Sequence, residues 1–421
     1  MDTTTRQTAD SSDSDPQKAL SPWSAFAFRD FTMLWLGGVA MMVAMQIRMF
    51  ASGQWLLDET GSAAQLGYLG AIQLLQMPVV IYGGALADTM DRKKLMGLTQ
   101  IVSFGSLALL ALAAFTGTLA PWHVFVATGV TGIVNMLGTS ARPAMISRVV
   151  PKTHITHAVT INTATFQVAG IAAPLIFGGL YTFAGPGPTF AAAAAIAVLS
   201  VVCPLLIRVS GAPDGGSRRV TLQSLKEGFS FVKNHKLLPG LYMLDIGVTV
   251  VSFYRFLFPV FARDLYGMGA GAAGALGAAN SLGGVLGSML VLYTAKAPRK
   301  GLLVLVATLI YALLLFAFGM NPFFWVGLVI VAGLGMMDAI GMTMRQAIVQ
   351  LTTPDALLGR ASSAHSFSAM GANHVGQMEV AFVSAAVGAG PAMVIGGFVS
   401  VVVVAVIWRG VRSIREYRYP G

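Results

Sequence analysis

Stretches of about twenty predominantly apolar residues recur along this chain, and each is long enough to cross a bilayer as one helix. Inside a bilayer no water is available to bond exposed peptide groups, so a spanning segment must satisfy its own amides, as a helix does. Twelve such stretches are expected, at 31–57, 64–87, 95–116, 122–141, 156–181, 189–207, 237–261, 271–293, 302–320, 322–344, 363–387 and 391–408. Only 10% of the 421 residues are charged, against about 25% in soluble domains. The expected fold class is an all-α polytopic membrane protein. A single cysteine, Cys203, excludes a disulfide framework. The net charge of +10 forms no nucleic-acid-binding face, because the basic residues stand in short clusters between apolar runs.

Those clusters set the orientation. Residues 1–22 are polar and acidic, with Asp10, Asp13 and Asp15 among serines, and are expected to be a disordered cytoplasmic tail. With that tail inside, 24 of the 27 lysines and arginines fall on the cytoplasmic side; Arg263 falls outside, and Arg48 and Arg255 lie within spans. Both termini are then cytoplasmic, in the inner (plasma) membrane of the cell. The expected organisation is a six-helix bundle at 23–207, a cytoplasmic linker at 208–236, a second six-helix bundle at 237–408 and a basic cytoplasmic tail at 409–421. Within the linker, Leu222, Leu225, Phe229 and Val232 form one side of an amphipathic helix.

The two bundles are expected to be a repeat. An offset of 207 places Gly67, Leu69, Gly70 and Ala71 over Gly274, Leu276, Gly277 and Ala278, and Arg92-Lys93 over Arg299-Lys300. Later in each half an offset of 203 places Gly132, Gly138, Arg142, Ala144, Pro151 and Ala158 over Gly335, Gly341, Arg345, Ala347, Pro354 and Ala361. Same-direction repeats joined by a cytoplasmic linker are an architecture of alternating-access transporters.

The segment Gly84-Ala-Leu-Ala-Asp88-Thr-Met-Asp91-Arg92-Lys93-Lys94 resembles the loop motif between spans two and three of the major facilitator superfamily. The resemblance covers about residues 23–412. Ser224–Val232, Phe258–Asp264 and Thr353-Pro354-Asp355 with Leu358-Gly359-Arg360 are similar to the branch holding enterobactin exporters and macrolide efflux proteins. The resemblance implies a twelve-helix major facilitator fold. It also implies an inner gate in which Gly84, Asp88, Arg92 and Lys93 latch against the start of span eleven near Arg360. Thr89 departs from the motif, which has a basic residue there, and Asp91 stands in place of a glycine.

Charges inside spans need a reason, because one at the bilayer centre costs at least ~2.5–3.5 kcal/mol. The 207 offset superimposes Arg48 on Arg255, which points to an anion site between the halves or to structural pairs with Glu379, Asp58 or Asp264. The resemblance adds that Arg255 matches an arginine in the seventh span of enterobactin exporters. Gln46, Gln73, Asn135, His374 and Gln377 are the polar candidates to join them in contacting substrate. Asp338, Glu379 and Asp245 are the intramembrane acids; they are candidates for proton coupling, or permanent partners of Arg255, Arg345 or the linker lysines. His374 is a further group able to titrate near neutrality.

Other signals are discounted. Gly269-Ala-Gly271-Ala-Ala-Gly274 spells a dinucleotide fingerprint without a βαβ unit, and His154 with His157 lacks a third ligand. The glycines of spans two and eight fit close helix packing. The chain is not expected to be an enzyme or to hold a cofactor or metal. The expected function is a secondary transporter, a proton-coupled exporter acting as a monomer on a small molecule in contact with membrane lipid. An uptake symporter for a small organic anion and a non-transporting receptor are the alternatives.

Overall fold

The computed structural model describes residues 21, 23–79, 90–138, 141–212, 222–294 and 299–418. Over these residues the chain is all-α. The helices are α1 (Arg29–Thr60), α2 (Ala64–Leu75), α3 (Arg92–Phe115), α4 (Pro121–Gly138), α5 (Ala141–Val149), α6 (Ile155–Ala184), α7 (Pro186–Leu205) and α8 (Leu222–Asn234). They continue as α9 (Leu238–Ser252), α10 (Phe258–Tyr266), α11 (Ala270–Thr294), α12 (Lys300–Met320), α13 (Phe324–Thr352), α14 (Asp355–Val387), α15 (Ala389–Gly410) and α16 (Arg412–Glu416). Leu109, Leu112, Phe183, Leu292 and Val329 are each more than half exposed, a surface suited to lipid and not to water.

Among the described residues, nine helices are long and apolar enough to cross a membrane, or ten when α4 and α5 form one bent span. The expected twelve are thus not all recovered. Of 64–87, only the part up to residue 79 is described, with α2 as its helix. The 33-residue α14 is long enough, but His365, Asn373, His374, Gln377 and Glu379 make it too polar to qualify by composition.

The span expected at 237–261 is broken. Helix α9 stops at Ser252, Arg255–Leu257 form a 3-10 turn, and α10 restarts with Pro259 in its first turn. Proline has no N–H to donate to the carbonyl four residues before it, so Pro259 leaves the Arg255 carbonyl without a helical partner and favours a break ahead of it. The carbonyl of Ser252 instead accepts from the Tyr311 hydroxyl at 3.1 Å, and Tyr254, fully buried, donates to Asn280 Oδ1 at 2.7 Å. Arg255 therefore projects from a break held by side chains, whereas Arg48 sits in an uninterrupted helix.

Helices preceding the linker pack mainly on one another, as do those following it. The two sets meet along α2 with α14, α6 with α11 and α1 with α10. Most of these contacts lie at the end of the bundle away from the linker. There Phe50 stacks on Phe258 with ring centres 6.3 Å apart, and Arg263 Nη1 donates to the Gly61 carbonyl at 3.2 Å. Gly61 closes α1 at φ 67°, a conformation that glycine adopts without a Cβ penalty.

Small residues make the close crossings. A Cβ on Gly67 or Gly70 would press on Ala381 or the backbone of Met378, and one on Gly274 would overlap the Pro174 carbonyl. Between α11 and α13, Gly283 faces the Ala332 carbonyl and Gly335 faces that of Asn280. Among the described residues, Gly67 and Gly70 of expected span two and Gly274 and Gly283 of expected span eight are therefore packing residues.

The linker is tied to both sets. Asp91 caps α3 by accepting from the amides of Lys93 (2.8 Å) and Lys94 (3.2 Å), while Arg92 N–H donates to the Gly211 carbonyl at 2.8 Å. The Lys93 ammonium donates to Ile207 O, and Arg148 donates to Ser210 O. Asp30 accepts from the amides of Arg208 and Val209. Helix α8 lies on α14, burying Leu225, Gly228 and Val232, and Glu227 pairs with Arg360 at 2.6 Å. Phe229, expected on that face, is exposed: the contact centres on Gly228, which meets the Arg360 carbonyl and leaves no room beside it. At the entry to α9, His235 Nδ1 accepts from the amides of Leu237 and Leu238, and burial lowers its pKa, favouring the neutral acceptor form.

Gly283→Val should cost at least about 1–3 kcal/mol, because the clash is with backbone that has nowhere to move. Gly105→Ala on α3, where a Cβ meets nothing within 4 Å, should be neutral or mildly stabilising. Thermal unfolding of the two purified variants checks this contrast.

Candidate functional site

A charged cavity of about 310 Å³ lies among α9, its break, α12, α13 and α14. Its polar wall comprises Asp245, Ser252, Arg255, Tyr311, Asp338, Arg345, His365 and Asn373, with Phe253, Met337, Met342 and Met370 as apolar lining. Four opposite charges meet here as two pairs. The Arg255 guanidinium donates to Asp338 Oδ2 in a direct ion pair with both side chains partly exposed to the cavity. Arg345 pairs with Asp245 at 2.8 Å, and these side chains are only 11% and 10% exposed. Asp338 and Arg345 share a helix, yet each pairs across to a partner on the α9 segment.

This division has a physical reason. A buried charge left alone costs several kcal/mol, and a guanidinium stays charged at any accessible pH. The break at Phe253 swings Arg255 toward α13, and Asp245, two and a half turns earlier, meets Arg345 deeper along the same helix. His365, not singled out among the expected site residues, stands beside them with its ring 5.2 Å from that of Tyr242, whose hydroxyl donates to Ala361 O. Its signal in the sequence was a titratable ring one turn into the expected span eleven.

Arg48 is placed elsewhere. It lines two narrow crevices, one with Ser52, Gln73, Thr128, Phe256 and Gln377, the other with Gln100, Ser103, Asn135 and Ser200. Its one hydrogen bond within the described residues is to Thr128 Oγ1 at 3.5 Å. So Arg48 gathers Gln73, Asn135 and Gln377, while Arg255 gathers the acids, and the two arginines share no described cavity. Gln46 is half-buried on α1 and lines none of these spaces. His374 packs at the α2–α14 contact, where neither ring nitrogen finds a partner among the described residues. Glu379 is half-buried on α14 and forms no ion pair with a described residue. Gly84 and Asp88 lie outside the described residues; of the expected gate, Arg92 and Lys93 hold the start of the linker and Arg360 holds α8.

One arginine was overlooked. Arg142 donates to the Leu34 carbonyl, with its guanidinium stacked where any Cβ at Gly38 would be. The signal was available: the 203 offset that pairs Arg142 with Arg345 also pairs Asn135 with Asp338, and the 207 offset of the earlier part of each half pairs Gly38 with Asp245. Where the later helices carry two acids, the earlier ones carry a glycine and an amide.

The model for the Major Facilitator Superfamily matches residues 34–377. The chain belongs to that superfamily. It is 30% identical over 350 residues to the enterobactin exporter EntS of Shigella boydii serotype 4 (strain Sb227), covering 80% of this chain and 79% of the relative. The Citrobacter koseri (strain ATCC BAA-895 / CDC 4225-83 / SGSC4696) protein of that name is 29% identical over the same length and the same shares. The fold is similar to a POT family transporter crystallised with 5-aminolevulinic acid, at a TM-score of 0.74 and 12% identity, covering 92% of this chain and 97% of that one. This major facilitator protein is thus a multi-pass membrane transporter of a small molecule, and not an enzyme.

Removing either member of the deeper pair should leave its partner buried and unpaired. Asp245→Ala and Arg345→Ala should each destabilise by about 3–5 kcal/mol, whereas Asp245→Leu with Arg345→Met should recover most of that loss. Unfolding temperatures of the single and double variants measure the coupling.

Proposed function

We propose that this transporter is a proton-coupled exporter of a small organic molecule such as a drug or siderophore, working by alternating access between two six-helix repeats, 23–207 and 237–408. In this reading it acts as a monomer in the inner membrane, spans it twelve times, and keeps both termini in the cytoplasm. The observation that supports it most is the cavity with two arginine–aspartate pairs in one wall. Such charges are costly in a bilayer and are kept where they meet a substrate or a proton. The tight seam away from the linker fits a state open on the linker side, where an exporter loads. The relatives named as enterobactin exporters make a siderophore of that class the first substrate to test.

In antiport, proton and substrate must exclude one another. A substrate cation bound to the Asp338 carboxylate does this, since protonation removes the charge that holds it. Arg255 and Asn373 serve as orienting contacts, and Asp245 and Glu379 are the other acids able to take the proton. One observation favours the alternative, an anion symporter: Asp338 already occupies Arg255, so an anion that claims Arg255 leaves Asp338 to be protonated, and both then travel together.

Everted vesicles energised to an acid interior separate these readings: an exporter should accumulate labelled substrate, and a symporter should not. In the same vesicles Asp338→Asn should abolish accumulation while retaining exchange at equal pH. Arg255→Ala should weaken substrate binding about 10- to 100-fold, the worth of one or two charge-assisted bonds, and Arg255→Lys should recover only part of it. Equilibrium binding at fixed pH measures that step.

A further inference from the structure

Arg48 poses a problem that Arg255 does not. Asp338 neutralises Arg255, but among the described residues no carboxylate lies within ion-pair distance of Arg48. By the 203 offset, Asn135 stands where Asp338 would be, and an amide carries no charge. The guanidinium cannot escape by losing its proton. Its bond to Thr128 Oγ1, at 3.5 Å, is long and brings no opposite charge.

The crevice beside it is built for a small anion. Ser52, 2% exposed, points an Oγ that has no hydrogen-bond partner among the described residues. Gln377, fully buried, offers a carboxamide whose Oε1 also has none; its Nε2 is held only by a 3.4 Å bond to Leu66 O, so a half-turn presents the NH₂ to the crevice. Thr128 supplies a second hydroxyl and Gln73 a second carboxamide, while Leu66, Leu69, Met49 and Phe256 close the space with apolar surface. The crevice is small, about 20 Å³, with room for one water-sized particle. A space of that size favours a compact occupant, and the uncompensated charge selects an anion over neutral water.

We propose that this crevice is a halide site, in which a chloride ion neutralises Arg48 with the Ser52 and Thr128 hydroxyls as further donors. Phe256 and Gln377 come from beyond the linker and the other lining residues from before it, so the ion sits at the seam between the two sets of helices. The site is independent of the transported substrate, and so is its test.

The full chain in detergent is unfolded thermally in sodium chloride, sodium bromide or sodium gluconate at one ionic strength. Chloride and bromide should raise the unfolding temperature saturably, and gluconate, too bulky to enter, should not. Arg48→Gln should abolish the difference between anions, and Ser52→Ala should raise the half-saturating chloride concentration severalfold. A bromide-soaked crystal should show an anomalous peak beside Arg48. Equal unfolding temperatures in chloride and gluconate, as a crevice holding only water would give, overturn the proposal. So does an Arg48→Gln protein that keeps the wild-type chloride response. If Arg48→Gln does not fold, the anion series on the unmodified chain and on Ser52→Ala still decides, and an unchanged half-saturation in Ser52→Ala counts against the site.

Discussion

A charge placed inside a bilayer has to be neutralised where it stands, and the rest of this structure is arranged around that constraint. Arg255 and Arg345 find Asp338 and Asp245 across the gap between α9 and α13, so the cavity between these helices is polar yet close to electrically balanced. Arg142 is treated differently: a glycine opposite it opens the backbone of α1, and the Leu34 carbonyl takes one guanidinium bond. Arg48 has neither solution within the described chain. The earlier and later helices thus share a pattern of arginines but not of counter-charges, and this asymmetry gives the two sides of the transporter distinct electrostatic roles.

Backbone geometry makes the pairing possible. Lipid provides no hydrophobic drive for helices to associate, so close contact depends on small residues. Gly283, Gly287 and Gly335 let α11 and α13 approach until carbonyls meet Cα atoms, and Gly376 does the same for α14 against Thr249 and Phe253. Beside these contacts the span breaks after Ser252, whose carbonyl is taken up by Tyr311. A continuous helix would aim Arg255 elsewhere. On the linker side, short polar ties from Asp30, Arg92, Lys93 and Arg148 hold the incoming segment, and Glu227 with Arg360 holds the outgoing helix. The linker is therefore fastened at both ends, to the helices before it and to those after it.

Much of this protein was legible in the order of its residues. Runs of apolar residues specify spanning helices because a bilayer leaves the backbone no alternative, and the offset repeats marked Arg48 with Arg255 and Arg142 with Arg345 before any coordinates. The glycine-rich spans announced close packing for the same local reason. The stretch expected as span eleven is one continuous helix, although its polar residues keep it from qualifying as a span by composition.

Which charge meets which was decided only by tertiary structure. The sequence left Asp338, Glu379 and Asp245 open to Arg255, Arg345 or the linker lysines, and a side chain pairs with whatever the neighbouring helix brings within about 4 Å. Crossing angles, the break before Pro259 and the glycine contacts set those distances, and none is a property of a single segment. For the same reason the sequence could name Arg48 and Arg255 as equivalents but not reveal that one is paired and the other is not. Hydropathy is local and survives in the sequence, whereas neutralisation depends on groups that meet only when the helices pack.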